Sequence, residues 1–361
     1  MLDNLFIDNT SVSFHQTWWW AHIKQKFGWE IISSTFEGKE ILVYVRKFAR
    51  SFSLAYVPYP VVHAQDAHDY FAKLAEFVQS VKHLLPKQCL CVRVDTAIFS
   101  NHVLNHNEME NCIAAIHSHQ SYKGQNVQPP DTVLINLEQS EEELLQAMKP
   151  KWRYNIKLAS KKQLVVKEST GDDFEIFWNL YLETAKRDAI AIHQKEYYES
   201  VFQNPVSQQG TQPLVKLWTA WFQEKPIAAI ITVYYQKRAT YLYGASSNEH
   251  RNLMAPYLLQ WSAMQDAKRH GCEWYDLYGI PPDDNPEHPM AGLYRFKTGF
   301  GGEIRHYLGC IDFPMHRIPY HLFTIAERLR LWWYKSCKKK IKKIMMQNHK
   351  NLTEHENPET K

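Results

Sequence analysis

The 361-residue sequence has no apolar run approaching the length of a membrane-spanning helix. Its first residues, Met1 to Asp8, carry no basic n-region and no long apolar stretch, so a secretory leader is not expected. The six cysteines are Cys89, Cys91, Cys112, Cys272, Cys310 and Cys337. They form no CxxC pair, and no histidine clusters near them at zinc-ligand spacing. Reduced thiols in a cytoplasmic protein without a metal are the expectation. P-loop, GxGxxG, HExxH and GxSxG patterns are all absent, and with them the common nucleotide, zinc-protease and serine-hydrolase signatures. The net charge of +4 is too mild to demand a nucleic-acid partner and does not oppose one.

Aromatic residues are abundant, with 12 Trp, 20 Tyr and 17 Phe. They suit either large cores or clefts for extended ligands. The chain is long enough for two cored domains. Periodicity predicts a helix over Gln16–Lys26, strands at Glu30–Phe36, Glu40–Lys47 and Ser51–Val57, a helix at Asp66–Leu85 and a strand at Cys89–Val94. The second half repeats this order. Helices are predicted at Asp172–Asp188 and Lys195–Phe202, and strands at Leu214–Phe222, Ile227–Tyr235 and Ala239–Tyr243. A helix at Asn252–His270 and a strand at Glu273–Tyr278 complete it. A strand meander, a helix and another strand thus occur twice, which points to two similar α/β units in tandem.

Between the halves, Ser140 and Glu143 fit a capping box. After it, a helical reading places Arg153, Lys157 and Lys161 on one stripe and Trp152, Ile156 and Ala159 on another. The basic stripe is either a solvated face or a phosphate contact. From about Tyr320 the chain is helical and increasingly basic. Lys335, Lys338, Lys339, Lys340, Lys342 and Lys343 stand beside Leu331, Trp332, Trp333, Ile341 and Ile344. Such a segment suits an anionic lipid surface, an RNA backbone or a solubilising tail. Residues 349–361 are polar and are expected to be disordered.

The most informative run is Tyr241-Leu-Tyr243-Gly-Ala-Ser-Ser-Asn-Glu-His-Arg251-Asn-Leu-Met-Ala-Pro. An aromatic strand enters a polar turn and then a helix, as in the back half of an acyltransferase domain. Acetyl-CoA-dependent N-acyltransferases hold the diphosphate on backbone N–H groups at this helix start, through a glycine-bearing loop. Here Leu253 or Met254 occupies the glycine position, and a side chain there blocks close approach of the backbone. The architecture fits acyl transfer from a donor other than CoA.

Together with Leu-Leu-Gln-Trp, Trp274-Tyr-Asp-Leu-Tyr278-Gly-Ile280 and Gly292-Leu-Tyr-Arg-Phe-Lys297-Thr-Gly-Phe300, this run resembles the Fem family of non-ribosomal peptidyltransferases. The resemblance extends from Gln16 to Asp312. It implies a mixed α/β chain of two tandem GNAT-like acyltransferase domains with a C-terminal basic helix. The first domain would comprise residues 1–147 plus about 313–348 and bind the acceptor precursor. The second, 148–312, would carry out acyl transfer. The short Gln223–Pro226 connection resembles the subgroup without a coiled-coil arm. The implied reaction moves glycine, alanine or serine from aminoacyl-tRNA to the side-chain amine of the third stem-peptide residue of a peptidoglycan precursor. That precursor is UDP-MurNAc-pentapeptide or lipid II. No cofactor is implied beyond the tRNA co-substrate, and a peripheral contact with the cytoplasmic membrane is compatible with the basic helix. Two other readings are an acyl-CoA- or carrier-protein-dependent N-acyltransferase and a non-catalytic binding protein.

The resemblance also implies roles for individual residues. Lys24 matches a lysine at the diphosphate or sugar end of the precursor; its alternative is an exposed helix lysine. Asp95 matches an acidic residue at the cleft mouth, and its alternative is a helix cap. The family's precursor-binding tyrosine near it falls at Leu90. Tyr197 falls on a binding tyrosine. His193 stands where a subgroup has arginine, so the phosphate clamp there would be weaker, pH-dependent, or supplied by Arg187 or Lys195. Tyr241 and Tyr243 match strand tyrosines near the reaction centre, and simple alternation would put them on one face. Lys297 matches a lysine beside the acyl-transfer centre. Arg153, Lys157, Lys161 and Arg251 are the candidate tRNA phosphate contacts.

Overall fold

A computed structural model describes residues 2, 4–8, 13–48, 51–169, 173–203 and 212–333. The lysine cluster after residue 334, Cys337 and the expected disordered tail lie outside the described residues. The chain forms two sheets wrapped by helices. In the first half, α1 (Trp18–Lys26) precedes the meander β2 (Glu30–Phe36), β3 (Lys39–Phe48) and β4 (Phe52–Pro58). Helix α2 (Ala67–Val81) then crosses to β5 (Cys89–Asp95), which pairs parallel to β4. In the second half, α6 (Phe174–Asp188) and α7 (Lys195–Gln203) precede β10 (Leu214–Phe222), β11 (Lys225–Tyr235) and β12 (Arg238–Ser246). Helix α8 (Ala255–Arg269) crosses to β13 (Trp274–Asp276), parallel to β12. The repeat read from element order is therefore real: each half is a meander, a crossover helix and a parallel strand.

Local chemistry accounts for these elements. Helix α2 starts on Asp66, whose carboxylate accepts from the Asp69 N–H, and buries Tyr70, Phe71, Leu74, Phe77, Val78 and Val81 on one stripe. The expected capping box of Ser140 and Glu143 opens α4 (Glu141–Ala147). A proline in the first turn starts α5 (Pro150–Lys161), and Trp152, Ile156 and Ala159 form its buried stripe. The turn between β10 and β11 is only Gln223 and Glu224, both left-handed, which leaves no room for an inserted arm.

The sheets do not divide at residue 147. Strands β1 (Phe6–Ile7), β6 (Ile98–Ser100) and β8 (Asp131–Asn136) come from the first half but belong to the nine-stranded second sheet. There β8 lies between β13 and β14 (Glu303–Tyr307). Strand β15 (Cys310–Pro314) returns to the first sheet between β5 and β7 (Tyr122–Lys123). The halves also share a core. Trp19, Trp20 and Ile23 of α1 pack with Leu42, Tyr44 and Tyr56 of the first sheet and with Leu217, Ile231 and Val233 of the second.

After β15 a final helix, α10, is described over residues 317–333. One buried cation anchors it. Arg93 of β5 makes a bidentate pair with Asp312 at 2.7 and 2.8 Å and a second with Glu327 of α10 at 2.9 and 3.0 Å. The Tyr320 hydroxyl donates to Asp312 at 3.1 Å. Removing one partner of a buried pair strands the other charge. Arg93→Ala should lower unfolding stability by about 3–5 kcal/mol, read by urea denaturation. A loss below about 1 kcal/mol would show that the pair is dispensable.

Candidate active site

The site begins where two parallel strands part. Strands β12 and β13 pair only over Arg238–Thr240 and Trp274–Asp276. Beyond them β12 remains bonded to β11, while the other chain runs through Leu277 to Tyr278 and Gly279. A gap therefore opens between Tyr241–Gly244 on one side and Tyr278–Gly279 on the other.

A bulge shapes the first wall. Ile231 faces Tyr243 and Thr232 faces Tyr241, so Leu242 is the extra residue. This overturns the expectation that the two tyrosines share a face. Tyr241 packs with the α5/α8 core, and Tyr243 with the core of α1, α6 and α7. Gly244 accommodates the twist, because a Cβ there would stand 1.8 Å from the Tyr241 hydroxyl. A strand glycine directly after an aromatic pair was the available signal for this bulge.

Lys297 enters the gap from α9 (Ala291–Thr298). Its ammonium donates to the carbonyls of Tyr278 at 2.8 Å and Gly279 at 3.0 Å and lies 5.2 Å from the Tyr241 ring centroid. Burial pulls its pKa down to about 7, against a smaller upward pull from Asp276. Helix α9 is held by α5: the Trp152 indole donates to Phe296 O at 2.9 Å, and a Cβ on Gly299 would meet that indole at 2.2 Å.

A second lysine sits in the shared core. Lys24 donates to the Tyr197 hydroxyl at 2.8 Å and lies 4.6 Å from the Trp20 ring centroid. Its pKa falls to about 8, through burial first and then the charge of Arg46. His193 lies against Tyr197 with ring centroids 4.3 Å apart. Burial, then Lys24 and Arg46, lower its pKa, so the imidazole is neutral at neutral pH. Both residues named as a cation for that position hold other partners. Arg187 donates to Ser246 O at 2.8 Å and Asn248 Oδ1 at 3.1 Å, fixing the turn after β12. Lys195 is paired with Glu175. Arg46, on β3, adds a positive charge that lowers the pKa of both Lys24 and His193; in sequence it looks like a solvated strand end.

Tyrosines join these groups. The Tyr197 and Tyr243 hydroxyls are hydrogen-bonded, and Tyr243 stacks edge-on to Tyr198 at 5.0 Å. Tyr278 is the hub. Its carbonyl holds Lys297, and its hydroxyl donates to Gln128 Oε1 at 2.5 Å. Gln128 Nε2 donates to the Tyr56 hydroxyl at 3.3 Å, and Tyr56 donates to Asp95. Tyr278 has a left-handed backbone, φ 56°, and its N–H is held by Asp276 Oδ1 at 2.8 Å.

Asp95 caps no helix. It ends β5 opposite Cys310, and its carboxylate accepts from Tyr56 and from Cys310 Sγ at 2.8 Å. Burial raises its pKa, although these donors oppose the shift. Leu90 is buried within the same strand.

The turn before α8 is closed by its own side chains and backbone. Leu253 is buried, and Met254 takes the left-handed conformation, φ 60°, that a glycine would adopt freely. The Leu253 and Met254 N–H groups bond back to His250 O at 2.9 Å and Arg251 O at 3.2 Å, away from any diphosphate. Of the proposed tRNA contacts, Lys157, Lys161 and Arg251 are exposed. Arg153 instead turns its guanidinium onto the last carbonyls of α4, Gln146 O at 3.1 Å and Met148 O at 2.5 Å. Beside Thr240, Asp276 and Tyr278 opens a cavity of about 750 Å³, also lined by His15, Tyr59 and Arg238.

The buried Lys297 makes a pH-dependent contribution to stability. Below pH about 7 folded and unfolded chains both hold the proton, and the fold bears the cost of a desolvated ammonium. Between about 7 and 10.5 only the unfolded chain holds it, so this contribution to stability rises with pH. Lys297→Met should flatten that rise and raise Tm most at about pH 6. Parallel melting curves from about pH 6 to about pH 9 test this; an unchanged slope refutes it.

Comparison with known proteins places this geometry. The FemAB family model matches residues 3–205 and 208–328. The lipid II:glycine glycyltransferase of Staphylococcus epidermidis is 22% identical over 253 residues, 54% of this chain and 61% of that protein. The chain thus matches less than two thirds of that relative's length. The aminoacyltransferase FemA of Staphylococcus epidermidis is 28% identical over 107 residues, 30% of this chain and 26% of that protein. The crystal structure of FemX superposes with a TM-score of 0.72 at 17% identity, covering 87% of this chain and 95% of that one, which shows a shared fold. By the extent of the family match, this chain belongs to the FemAB family.

Proposed function

We propose that this protein transfers an amino acid from aminoacyl-tRNA to the side-chain amine of the third stem-peptide residue of a peptidoglycan precursor. The observation that carries the reading is the buried Lys297 in the gap between β12 and β13, near a glycine-free turn before α8 in which the Leu253 and Met254 N–H groups bond back to the chain. A relative is named for glycine transfer to lipid II, which supports a lipid-linked acceptor for this chain.

The chemistry is ester aminolysis. The acceptor nitrogen attacks the aminoacyl carbonyl carbon, and a C–N bond forms. The C–O bond to the tRNA ribose breaks, and the amine's proton goes to the leaving oxygen. Two N–H groups of Lys297 are held by carbonyls. The third is available to the tetrahedral oxyanion, a donor that matters most in a dry site. A lysine with pKa about 7 populates both protonation states near neutrality. Lys24, with Arg46 and the neutral His193, suits the diphosphate end of the precursor. Tyr197, Tyr243 and Tyr278 lie between the two lysines, and the line from Tyr278 through Gln128 and Tyr56 to Asp95 suits a role in orienting the acceptor. Tyr241 backs the Lys297 ammonium. Lys157, Lys161 and Arg251 suit tRNA phosphates, with Arg187 shaping the adjacent turn.

Incubation with mixed aminoacyl-tRNAs and lipid- or nucleotide-linked stem peptides, read by mass spectrometry, tests the reading. Addition of one amino-acid mass to the acceptor is expected. Lys297→Ala should lower kcat by about 10²–10³ while acceptor binding persists. Lys24→Ala and Arg46→Ala should mainly raise acceptor KM, and wild-type KM should climb as pH passes about 8. No transfer to any acceptor, or stabilisation by CoA but not by charged tRNA, would overturn it.

A further inference from the structure

Helix α10 has two opposite faces. The inner one is docked: Tyr320 is buried, Phe323 lies 5.5 Å from Phe48 between ring centroids, and Glu327 is bound by Arg93. The outer one carries Ile318, Leu322, Ile325, Leu329 and Trp332, exposed by 76%, 64%, 54%, 60% and 68%. At about 100° per residue these five fall on a single stripe opposite the docked face, and the exposed Trp333 widens it. An apolar stripe this continuous on an exposed helix marks an interaction surface.

Charge selects the occupant. Arg328 and His321 border the stripe on one side and Arg330 on the other, all three exposed. The only acid of α10, Glu327, points inward to Arg93. No Asp or Glu occurs between Glu327 and Glu354, whereas six lysines fall within residues 335–343. The alternating spacing of four and three could seat a second copy of the helix. The borders, however, would then face each other with like charge and no glutamate partner. No helix among the described residues is long and apolar enough to cross a membrane. An apolar stripe with cationic borders on a docked helix is the pattern of an element lying in a bilayer interface.

We infer that the outer face of α10 seats this protein on an anionic bilayer surface, with Ile318, Leu322, Ile325, Leu329 and Trp332 in the acyl boundary and Arg328 and Arg330 at the phosphates. The inference stands apart from the proposed transfer chemistry, because binding is read without turnover.

The test is co-sedimentation of the full chain with vesicles of phosphatidylglycerol mixed into phosphatidylcholine, and with phosphatidylcholine alone. Binding to the anionic vesicles should be retained, weaken with salt, and be markedly lower on pure phosphatidylcholine. Leu322→Asp with Leu329→Asp should cut partitioning at least about tenfold without changing the melting curve, because both side chains are exposed. Arg328→Glu with Arg330→Glu should abolish the preference for anionic lipid. Equal partitioning of the leucine variant, or no binding at all, overturns the inference. So does a dimer in sedimentation velocity that the leucine variant dissolves without any vesicle binding. Binding to tRNA alone, unaffected by the leucine changes, also overturns it.

Discussion

The parting of β12 from β13 is the constraint on which the rest of the site depends. Parallel pairing ends after Thr240 and Asp276. From there the carbonyls of Tyr278 and Gly279 face the gap instead of a neighbouring strand, and buried carbonyls need donors. Lys297 supplies them. The lysine in turn needs a dry, closed pocket, which the Tyr241 ring and the α5–α9 contact through Trp152 provide. The cost of burying the ammonium appears as its lowered pKa, the same property that suits it to acid–base work near neutrality.

The turn before α8 is shaped by its own backbone. Just before α8, the N–H groups of Leu253 and Met254 close on a short turn, and the Leu253 side chain is buried in the core. Backbone hydrogen bonds close this turn, and a lysine enters the nearby strand gap. Meanwhile the first half contributes Lys24, Arg46, Tyr56 and Asp95 through a core that both sheets share. One line of hydrogen bonds crosses between the halves, from Tyr278 through Gln128 and Tyr56 to Asp95.

Much of this was legible in sequence because it is local. The stripe of α2, the capping box of α4 and the strands of both meanders follow from periodicity and capping, which depend on residues a few positions apart. The substitution of Leu253 and Met254 for glycine spoke directly about the diphosphate cradle. Lys24, Tyr197 and Lys297 stand out by their motif matches, and the fold buries Tyr197 and Lys297 and half-buries Lys24 beside the Tyr197 hydroxyl. The exchange of strands between sheets was not legible. Assignment of β8 and β15 depends on which edges lie open after both meanders have formed, a non-local matter.

By itself the sequence determined the repeated meander–helix–strand order, the basic and aromatic character of its last described helix and the absence of glycine from the turn before α8, since each rests on local spacing and side-chain size. Only the tertiary structure decided that Tyr241 and Tyr243 face opposite ways, because a bulge is set by pairing with β11. It also decided that the charge of Arg46 bears on Lys24, and that Tyr278 joins Lys297 to Asp95 through Gln128 and Tyr56. It decided, finally, which face of the last helix stays uncovered, because docking by Tyr320, Phe323 and Glu327 turns the apolar stripe outward. Each of these depends on residues far apart in the chain meeting in one place.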